Sequence, residues 1–211
     1  MTTAAATTYD SLLNDIAEYA ERKDAPFTDQ IPRFIMLAEN RIASEVRGLG
    51  FLKIVTGTLT ANNGTVAKPQ RWRETASFSI DVAGRKKNLR ERSYEYCRSY
   101  SPDPTITDVP RYYSDYGYEH FLVAPTPNAA YSLELSFFER PEPLSDGNQT
   151  NWTTRYAPQL LLYGALLEAQ VFLKRDERIA TFQAMYDRAA TAVTNEAKRR
   201  IFDRTAGIRE N

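Results

Sequence analysis

The chain has very few of the cysteine and histidine residues that serve in many catalytic and metal-binding sites. Its 211 residues include one cysteine, Cys97, and one histidine, His120. A single cysteine excludes an intrachain disulfide and fits a reducing compartment. No nucleophile motif surrounds Cys97, and a lone histidine beside a strand is most often structural, so a zinc site or a histidine-based catalytic site is not expected. The prediction is a non-enzyme without cofactor or metal.

Three further absences narrow the class of protein. The nine glycines form no Gly-x-Gly-x-x-Gly or Gly-Lys-Thr loop, so no nucleotide-phosphate site is predicted. The longest apolar run is interrupted by Glu168 and Gln170, and the first residues lack the features of a signal peptide. Lys+Arg and Asp+Glu both number 27, so the basic excess typical of nucleic-acid binders is missing. These features predict a soluble, non-secreted chain with no membrane partner.

The clearest structural signal lies in residues 131–169. An alternating strand, with Leu133, Leu135 and Phe137 on one face, leads into a polar segment and then into a helix. That helix, predicted over about residues 154–174, is apolar almost all the way round, which is typical of a helix buried on every side. The polar segment is predicted to be a hinge, marked by Pro141, Pro143, Gly147 and Trp152.

Helical periodicity is confined to the two ends of the chain. Apolar spacing predicts helices over about residues 8–22, 28–47 and 176–204, besides the buried helix. The predicted fold class is therefore α+β, with a four-helix bundle from the N- and C-terminal helix pairs and an inserted antiparallel β lobe. The predicted domains are the first helix pair (1–50), the β lobe (51–145), and the second helix pair with the tail (146–211).

Between the helices, apolar residues recur with a period of two residues instead of the helical period. Residues 54–60 and 65–67 are predicted to form a hairpin around Asn62-Asn63-Gly64, because Asn and Gly tolerate positive φ. Residues 120–123 and 131–139 are predicted to pair directly as a meander. The β lobe is thus expected to be built from strands that are neighbours in sequence.

Tyrosine and basic residues supply the candidate contact surfaces. The 13 tyrosines suit an interface, although strands also favour aromatic residues. Residues 93–100 fit either a short helix or an irregular segment that presents tyrosines. Basic residues cluster at 85–92 and 198–209. Such runs are usually solvated faces, and the functional alternative is docking onto an acidic partner or onto nucleic acid.

An ordered set of segments resembles a known family. The segments are IPRFIMLAENRIASEVR, TGTLTANNGTVAKPQRW, SYSPDPTITDVPRYYSDYGYEHFLVAPTPNAAYSLEL, LELSFFERPEPLSD and, after a Thr-Asn-Trp and a proline, LLLYGALLEAQVFLK. Over roughly residues 10–190 the chain resembles the adaptor, or head-to-tail connector, proteins of tailed bacteriophages, and most of all those of short-tailed phages. It departs at residues 68–72, Lys-Pro-Gln-Arg-Trp, where the family often has Leu-Pro-x-Asp-Phe.

The resemblance implies a structural role in a virion. Such adaptors form a ring, expected to be dodecameric, that joins the capsid portal to the tail nozzle, encloses the DNA exit channel used in ejection and often helps to hold tail fibres. The expected location is the head–tail junction of a virion assembled in the host cytoplasm. The passing DNA would be contacted without sequence specificity.

The resemblance also assigns two sets of contact residues. The set expected to contact the portal is Arg199, Arg200, Arg204, Ile208 and Arg209. The set expected to face the neighbouring subunit or the nozzle is Tyr112, Tyr113, Tyr116 and Tyr118.

Three alternatives stay open at this point. One is a different neck or tail-completion protein. The second is a DNA-packaging accessory protein that uses the basic clusters. The third is a small tail-associated hydrolase that uses a carboxylate pair, although the candidates lie on separate predicted elements: Glu39, Glu45, Glu134 and Glu168.

Overall fold

A computed structural model of the chain describes residues 7–46, 49–174 and 176–206. The α-helices are α1 (Tyr9–Tyr19), α2 (Ala25–Thr28), α3 (Ile31–Glu45), α4 (Tyr94–Tyr100), α5 (Trp152–Tyr156), α6 (Pro158–Leu173) and α7 (Asp176–Ala206). The strands are β1 (Leu52–Leu59), β2 (Thr65–Ala67), β3 (Trp72–Val82), β4 (Arg85–Asn88), β5 (Arg90–Glu91), β6 (Thr107–Asp108), β7 (Tyr112–Asp115), β8 (His120–Ala124), β9 (Thr126–Pro127) and β10 (Tyr131–Glu139).

The chain divides into two compact units. The helical unit contains the residues up to Phe51 and those from Arg140 onward, and the β unit runs from Leu52 to Glu139. The β unit is therefore an insertion, and the chain passes between the units twice.

The first helix begins where the sequence provides a cap. The Thr8 hydroxyl accepts a hydrogen bond from the Ser11 N–H, and the Ser11 hydroxyl accepts one from the Thr8 N–H. This reciprocal pair satisfies two backbone donors that the first turn of a helix leaves unpaired. Tyr9, Leu12 and Ile16 then follow one another on the buried face of α1, as the apolar spacing predicts.

The predicted four-helix bundle is wrong, and the composition of α6 explains why. A bundle helix buries one stripe, whereas α6 is apolar all round and needs neighbours on several sides. In the structure α3 and α7 both pack along α6, and α1 and α5 contact it as well. Gly164 permits the approach of α3, since a Cβ added there would lie 3.1 Å from the Ala38 Cβ. The helical unit is thus organised around one central helix.

Polar contacts join the helices around α6. A salt bridge of 2.6 Å connects Arg41 of α3 to Glu168 of α6. The hydroxyl of Tyr186, a buried residue of α7, donates a 2.7 Å hydrogen bond to Glu45 at the end of α3. The Arg41 guanidinium also lies 5.8 Å from the centre of the Tyr186 ring. These contacts fix the relative positions of α3, α6 and α7.

The predicted helix over 154–174 is interrupted near its start. α5 ends at Tyr156, Ala157 adopts φ −141° and ψ 48°, and α6 begins at Pro158. A residue before proline avoids the helical region, and proline is favoured at the first helical position. The same proline therefore ends one helix and starts the next.

The β unit contains two four-stranded sheets and a two-stranded pair. Their strand orders are β1-β10-β3-β4, β2-β8-β7-β5 and β6-β9. Parallel pairing occurs between β5 and β7 and between β6 and β9, so the lobe is not wholly antiparallel. One core cluster draws Phe78 and Leu135 from the first sheet and Tyr113, Phe121 and Val123 from the second. The two sheets therefore bury their facing sides against each other.

Both predicted pairings of sequence neighbours are wrong. β1 pairs with β10 and β2 pairs with β8, so the Asn62–Gly64 turn connects two different sheets instead of closing a hairpin. β8 likewise pairs with β7 and β2, not with β10. Between β8 and β10 the prolines 125 and 127 cannot donate ladder hydrogen bonds, and the segment pairs with β6. In contrast, the turn at Ala83-Gly84 joins two strands that are neighbours in sequence, β3 and β4.

Candidate interaction surfaces

The short helix α4 carries three of the five exposed tyrosines of the β unit: Tyr94, Tyr96 and Tyr100. Its start is capped by Ser93, whose hydroxyl accepts a hydrogen bond from the Tyr96 N–H. The helix packs on β7 and β8 through Cys97, which is buried beside Leu122 and Ala124. Residues 94–100 are therefore helical, with Ser93 as the cap, and this settles the choice that the sequence left open. Because Cys97 faces inward, the tyrosines on either side of it face outward.

Two groups of tyrosines form on opposite sides of α4. On one side Tyr94 stacks with Tyr116, with ring centres 5.5 Å apart. On the other side Tyr112 meets Tyr96 and Tyr100 edge-on, at 5.2 and 4.8 Å. The rings of Tyr94, Tyr96, Tyr100 and Tyr116 remain about 40% exposed. These five tyrosines, together with Arg92 and Arg98, form a surface that we call the Tyr–Arg patch.

An arginine accompanies each tyrosine group. The Arg98 guanidinium lies 5.3 Å from the ring centre of Tyr94 and 5.9 Å from that of Tyr116. The Arg92 guanidinium lies 5.6 Å from Tyr96 and 5.9 Å from Tyr112. These distances are within the range of cation–π attraction, so the rings hold both cations at the surface.

The four tyrosines that the resemblance singled out have different environments. Tyr112 and Tyr116 belong to the Tyr–Arg patch, and Tyr118 is 87% exposed on the turn between β7 and β8. Tyr113 is buried in the core, and its hydroxyl donates a 3.2 Å hydrogen bond to Glu91. Alternation along β7 explains the difference, since neighbouring residues of a strand face opposite ways.

Lys68 stabilises the turn that presents Tyr116 and Tyr118. The Lys68 ammonium forms a salt bridge with Asp115 and donates a 2.7 Å hydrogen bond to the Gly117 carbonyl. It also lies 3.9 Å from the centre of the Trp72 ring. The segment in which the chain departs from the adaptor pattern thus supports the exposed tyrosine turn.

The helical unit offers a different surface at the end of α7. With 16 residues in α6 and 31 in α7, a rise of 1.5 Å per residue makes them about 24 and 46 Å long. The short connection at 174–176 joins the end of α6 to the start of α7, and the two helices pack along each other. The last part of the longer helix α7 therefore extends past the first residues of α6. Arg199 is exposed on this part, Arg200 and Arg204 follow on the same helix, and Ile208 and Arg209 lie outside the described residues.

Comparison with known proteins settles the family. Residues 7–209, nearly the whole chain, match the family model described as SU10 adaptor protein. The chain belongs to the SU10 adaptor protein family. No curated protein sequence matches it. The family name indicates a phage adaptor, a structural virion component that interacts with other virion proteins, so the sequence-based identification as a phage adaptor is confirmed at that level.

In this adaptor the segment predicted to be a hinge is bound within the helical unit. Asn151 caps α5, and its Nδ2 donates to the Glu142 carbonyl and to the Glu39 carboxylate. The ring of Trp152 lies 4.7 Å from that of Phe51. Pro143 and Gly147 are exposed, and Pro141 is half-buried. The segment that contains the predicted hinge residues is therefore held in place by the contacts of Asn151 and Trp152.

Among the carboxyl groups of the described residues, Glu39 has the most strongly shifted pKa. It is 7% exposed, and both of its oxygens lie 3.3 Å from the Leu144 N–H that donates to them. Burial raises the pKa of the Glu39 carboxyl to about 7, and hydrogen bonds from Leu144 and Asn151 only partly oppose the rise. The contacts of Glu39 are those of a packing residue that anchors the segment after Arg140.

The described part of the adaptor shows no catalytic or metal-binding constellation. Each of the four candidate carboxylates has a different partner: Glu39 has Asn151, Glu45 has Tyr186, Glu134 has Lys86 and Glu168 has Arg41. No group of three His, Cys, Asp or Glu residues that could hold a metal occurs among the described residues. His120 is exposed, and burial raises the pKa of the Cys97 thiol.

None of the described helices of the adaptor is both long enough and apolar enough to span a bilayer.

Sequence reasoning missed the role of Arg92 and Arg98. A usable signal was present, because Tyr94 and Arg98, and likewise Tyr96 and Tyr100, are four residues apart and so share a helix face. Recognising it required a decision that residues 93–100 are helical.

Proposed function

We propose that the chain is a ring subunit of a head-to-tail adaptor of short-tailed type, which joins the capsid portal to the tail nozzle and encloses the DNA exit channel. The family match over residues 7–209 carries this proposal. A joining protein needs two separate contact surfaces, and the chain offers one candidate on each unit. The ring is expected to be dodecameric, as the resemblance implies.

The portal-facing surface in this proposal is the projecting end of α7. Lys198 and Arg199 are exposed there, and Arg200 and Arg204 follow on the same helix. This basic helix end suits an acidic groove on the portal, since cations near a helix C-terminus are also favoured by the helix dipole. Ile208 and Arg209 would extend the same contact.

The surface that faces the neighbouring subunit or the nozzle is the Tyr–Arg patch with Tyr118. Tyrosine and arginine are the residue types most enriched at energetically important interface positions. Tyr112, Tyr116 and Tyr118 would make the contact, and Tyr113 would support it from the core. The hinge residues 141–152 would fix the point at which the chain returns from the β unit.

Light scattering after size exclusion tests the proposal, with the full chain alone and mixed with the portal protein of the same phage. We expect a complex with the portal that contains a ring of copies. Replacing Lys198 and Arg199 by Glu should abolish the complex, because both are exposed on the projecting end of α7.

The matched control replaces Arg85 and Lys87, two exposed basic residues of β4, by Glu. It should leave the complex intact. A full chain that stays monomeric in the presence of the portal would contradict the adaptor ring. A K198E/R199E variant that binds as well as the unmodified chain would contradict the portal-facing surface.

A further inference from the structure

Arg92 and Arg98 are oriented for a ligand that the described chain does not supply. Each guanidinium carries five N–H donors in a planar fork. Arg98 donates from Nε to the Tyr94 hydroxyl at 3.1 Å, and Arg92 donates to the Glu91 carbonyl at 3.1 Å. Neither forms a salt bridge with a carboxylate among the described residues. Arg98 also hydrogen-bonds the side chain of Tyr116, and Arg92 that of Tyr96, so neutral groups hold both cations in place while neither charge is paired with a carboxylate of the described chain.

This arrangement differs from that of three lysines of the β unit. Lys53, Lys68 and Lys86 each pair with a carboxylate of the same unit. Their charges are compensated within the chain. Arg92 and Arg98 instead have their positions fixed by neutral aromatic groups, which restrain the guanidinium without neutralising it.

From these contacts we infer that the Tyr–Arg patch is a receptor for carboxylates on a partner protein, with Arg92 and Arg98 as its two anchors. The inference rests on the proposed function, because it names the chemistry of the partner at the surface that faces the neighbouring subunit or nozzle. A planar guanidinium matches a carboxylate through two parallel hydrogen bonds. Restrained side chains also lose less conformational entropy when they bind.

Three features favour a protein carboxylate over a nucleic-acid phosphate. One face of each ring that a base would stack on is already in contact with another ring, since Tyr94 stacks on Tyr116 and Tyr96 lies parallel to Tyr100 at 6.2 Å. Glu95 is exposed on the same helix and would repel a continuous phosphate backbone. The net charge of the chain is zero, so no general field attracts DNA.

The test compares R92K/R98K with the unmodified full chain. Lysine keeps the charge but loses both the fork and the stacking, so the exchange is not conservative at such a site. Binding to the nozzle protein of the same phage, and self-association, are measured by sedimentation velocity. We expect R92K/R98K to weaken the association at this surface at least tenfold.

The control is R85K/R188K, which changes two exposed arginines that stack on no ring in the described chain. It should change the affinity less than twofold. The same variants provide a chemical readout, because a carbodiimide couples an amine to a carboxylate in direct contact. The amines introduced by R92K and R98K should couple to an Asp or Glu of the partner, mapped by mass spectrometry, and those introduced by R85K/R188K should not.

Each other outcome is decisive. If the unmodified chain associates but R92K/R98K associates equally well, or if its amines couple no more than those of R85K/R188K, the inference is wrong and the proposed function stands. If R92K/R98K loses affinity only for a single-stranded or duplex oligonucleotide, the ligand is phosphate and the inference is wrong. If the unmodified chain binds neither portal, nozzle nor itself, both proposals fall.

Discussion

The Oε1 atom of Glu39 accepts a 2.7 Å hydrogen bond from the Nδ2 atom of Asn151 in the interior of the helical unit. The same carboxylate accepts the Leu144 N–H, so one side chain of α3 holds two points of the segment that returns from the β unit. This carboxylate is buried, and its protonation is therefore linked to folding.

The stability of the protein should fall as the pH rises towards 7, because of Glu39. The folded state keeps a proton on this carboxyl up to about pH 7, whereas the ordinary pKa is 4.5. Unfolding between these values releases the proton, so the Glu39 contribution decreases by up to about 1.4 kcal/mol per pH unit. Urea unfolding across this pH range measures it.

Glu39→Gln should flatten that dependence, because an amide does not titrate. Asp146→Asn, which changes an exposed acid of the segment after Arg140, is the control and should keep the slope of the unmodified chain. An unchanged slope in Glu39→Gln would show that another group is responsible.

Gly50→Ala should destabilise the protein strongly. A Cβ at residue 50 would lie 1.8 Å from the Nε1 atom of Trp152, so the Trp152 ring must leave its contact with Phe51. Overpacking of this kind costs about 1–3 kcal/mol. Gly147→Ala is the matched control, since its nearest neighbour would be 4.0 Å away, and thermal unfolding of the two variants should differ clearly. Equal melting temperatures would refute the packing of Trp152.

Gln170→Met should stabilise the protein. The Gln170 side chain is fully buried in α6, and neither its Oε1 nor its Nε2 has a hydrogen-bond partner among the described residues. An unsatisfied buried polar group costs about 1–3 kcal/mol, and methionine has a similar shape. Chemical denaturation should show a higher midpoint for Gln170→Met and no gain for Gln183→Met, a partly exposed position. A lower midpoint for Gln170→Met would indicate a hidden partner for the amide.

Asp115→Asn should cost more stability than Lys68→Met. The Lys68 side chain is 4% exposed and the Asp115 side chain is 55% exposed. Removing the acid leaves a buried ammonium without its carboxylate, at a cost of about 2 kcal/mol, whereas removing the ammonium leaves a carboxylate that water can solvate. Urea unfolding of both single variants and the double variant separates the terms. The reverse order would contradict the burial of Lys68.

The sequence predicted helices better than strand pairing, and the physical reason is locality. The apolar stripe of α1 and the all-round apolar surface of α6 are visible within a few turns of chain, and both were predicted. The partner of β1 is β10, about eighty residues away, and no local pattern encodes that choice. Turn residues such as Asn62 and Gly64 specify that the chain reverses, but not which sheet receives the next strand.

The candidate surfaces show the same limit. The tyrosines of 111–118 were recognisable as contact residues from composition and resemblance. Tyr113 differs from its neighbours only through strand alternation, which depends on knowing that β7 begins at Tyr112. The pairing of Arg98 with Tyr116 joins a helix to a strand end, so it could not be read from spacing alone.

The pairing of β1 with β10 also has a consequence for synthesis and folding. The first strand of the β unit cannot form its hydrogen bonds with β10 until β10 has left the ribosome. In the same way, α3 cannot pack on α6 until α6 has been synthesised. Contacts between such distant segments make folding slow. Yet Leu52 and Phe138 lie opposite each other across the two strands, so the insertion begins and ends at neighbouring points. For the helical unit, the whole β unit is therefore equivalent to a short loop between Phe51 and Arg140. The β unit could therefore be transplanted, or replaced by a brief linker, with little change to the helices that carry it.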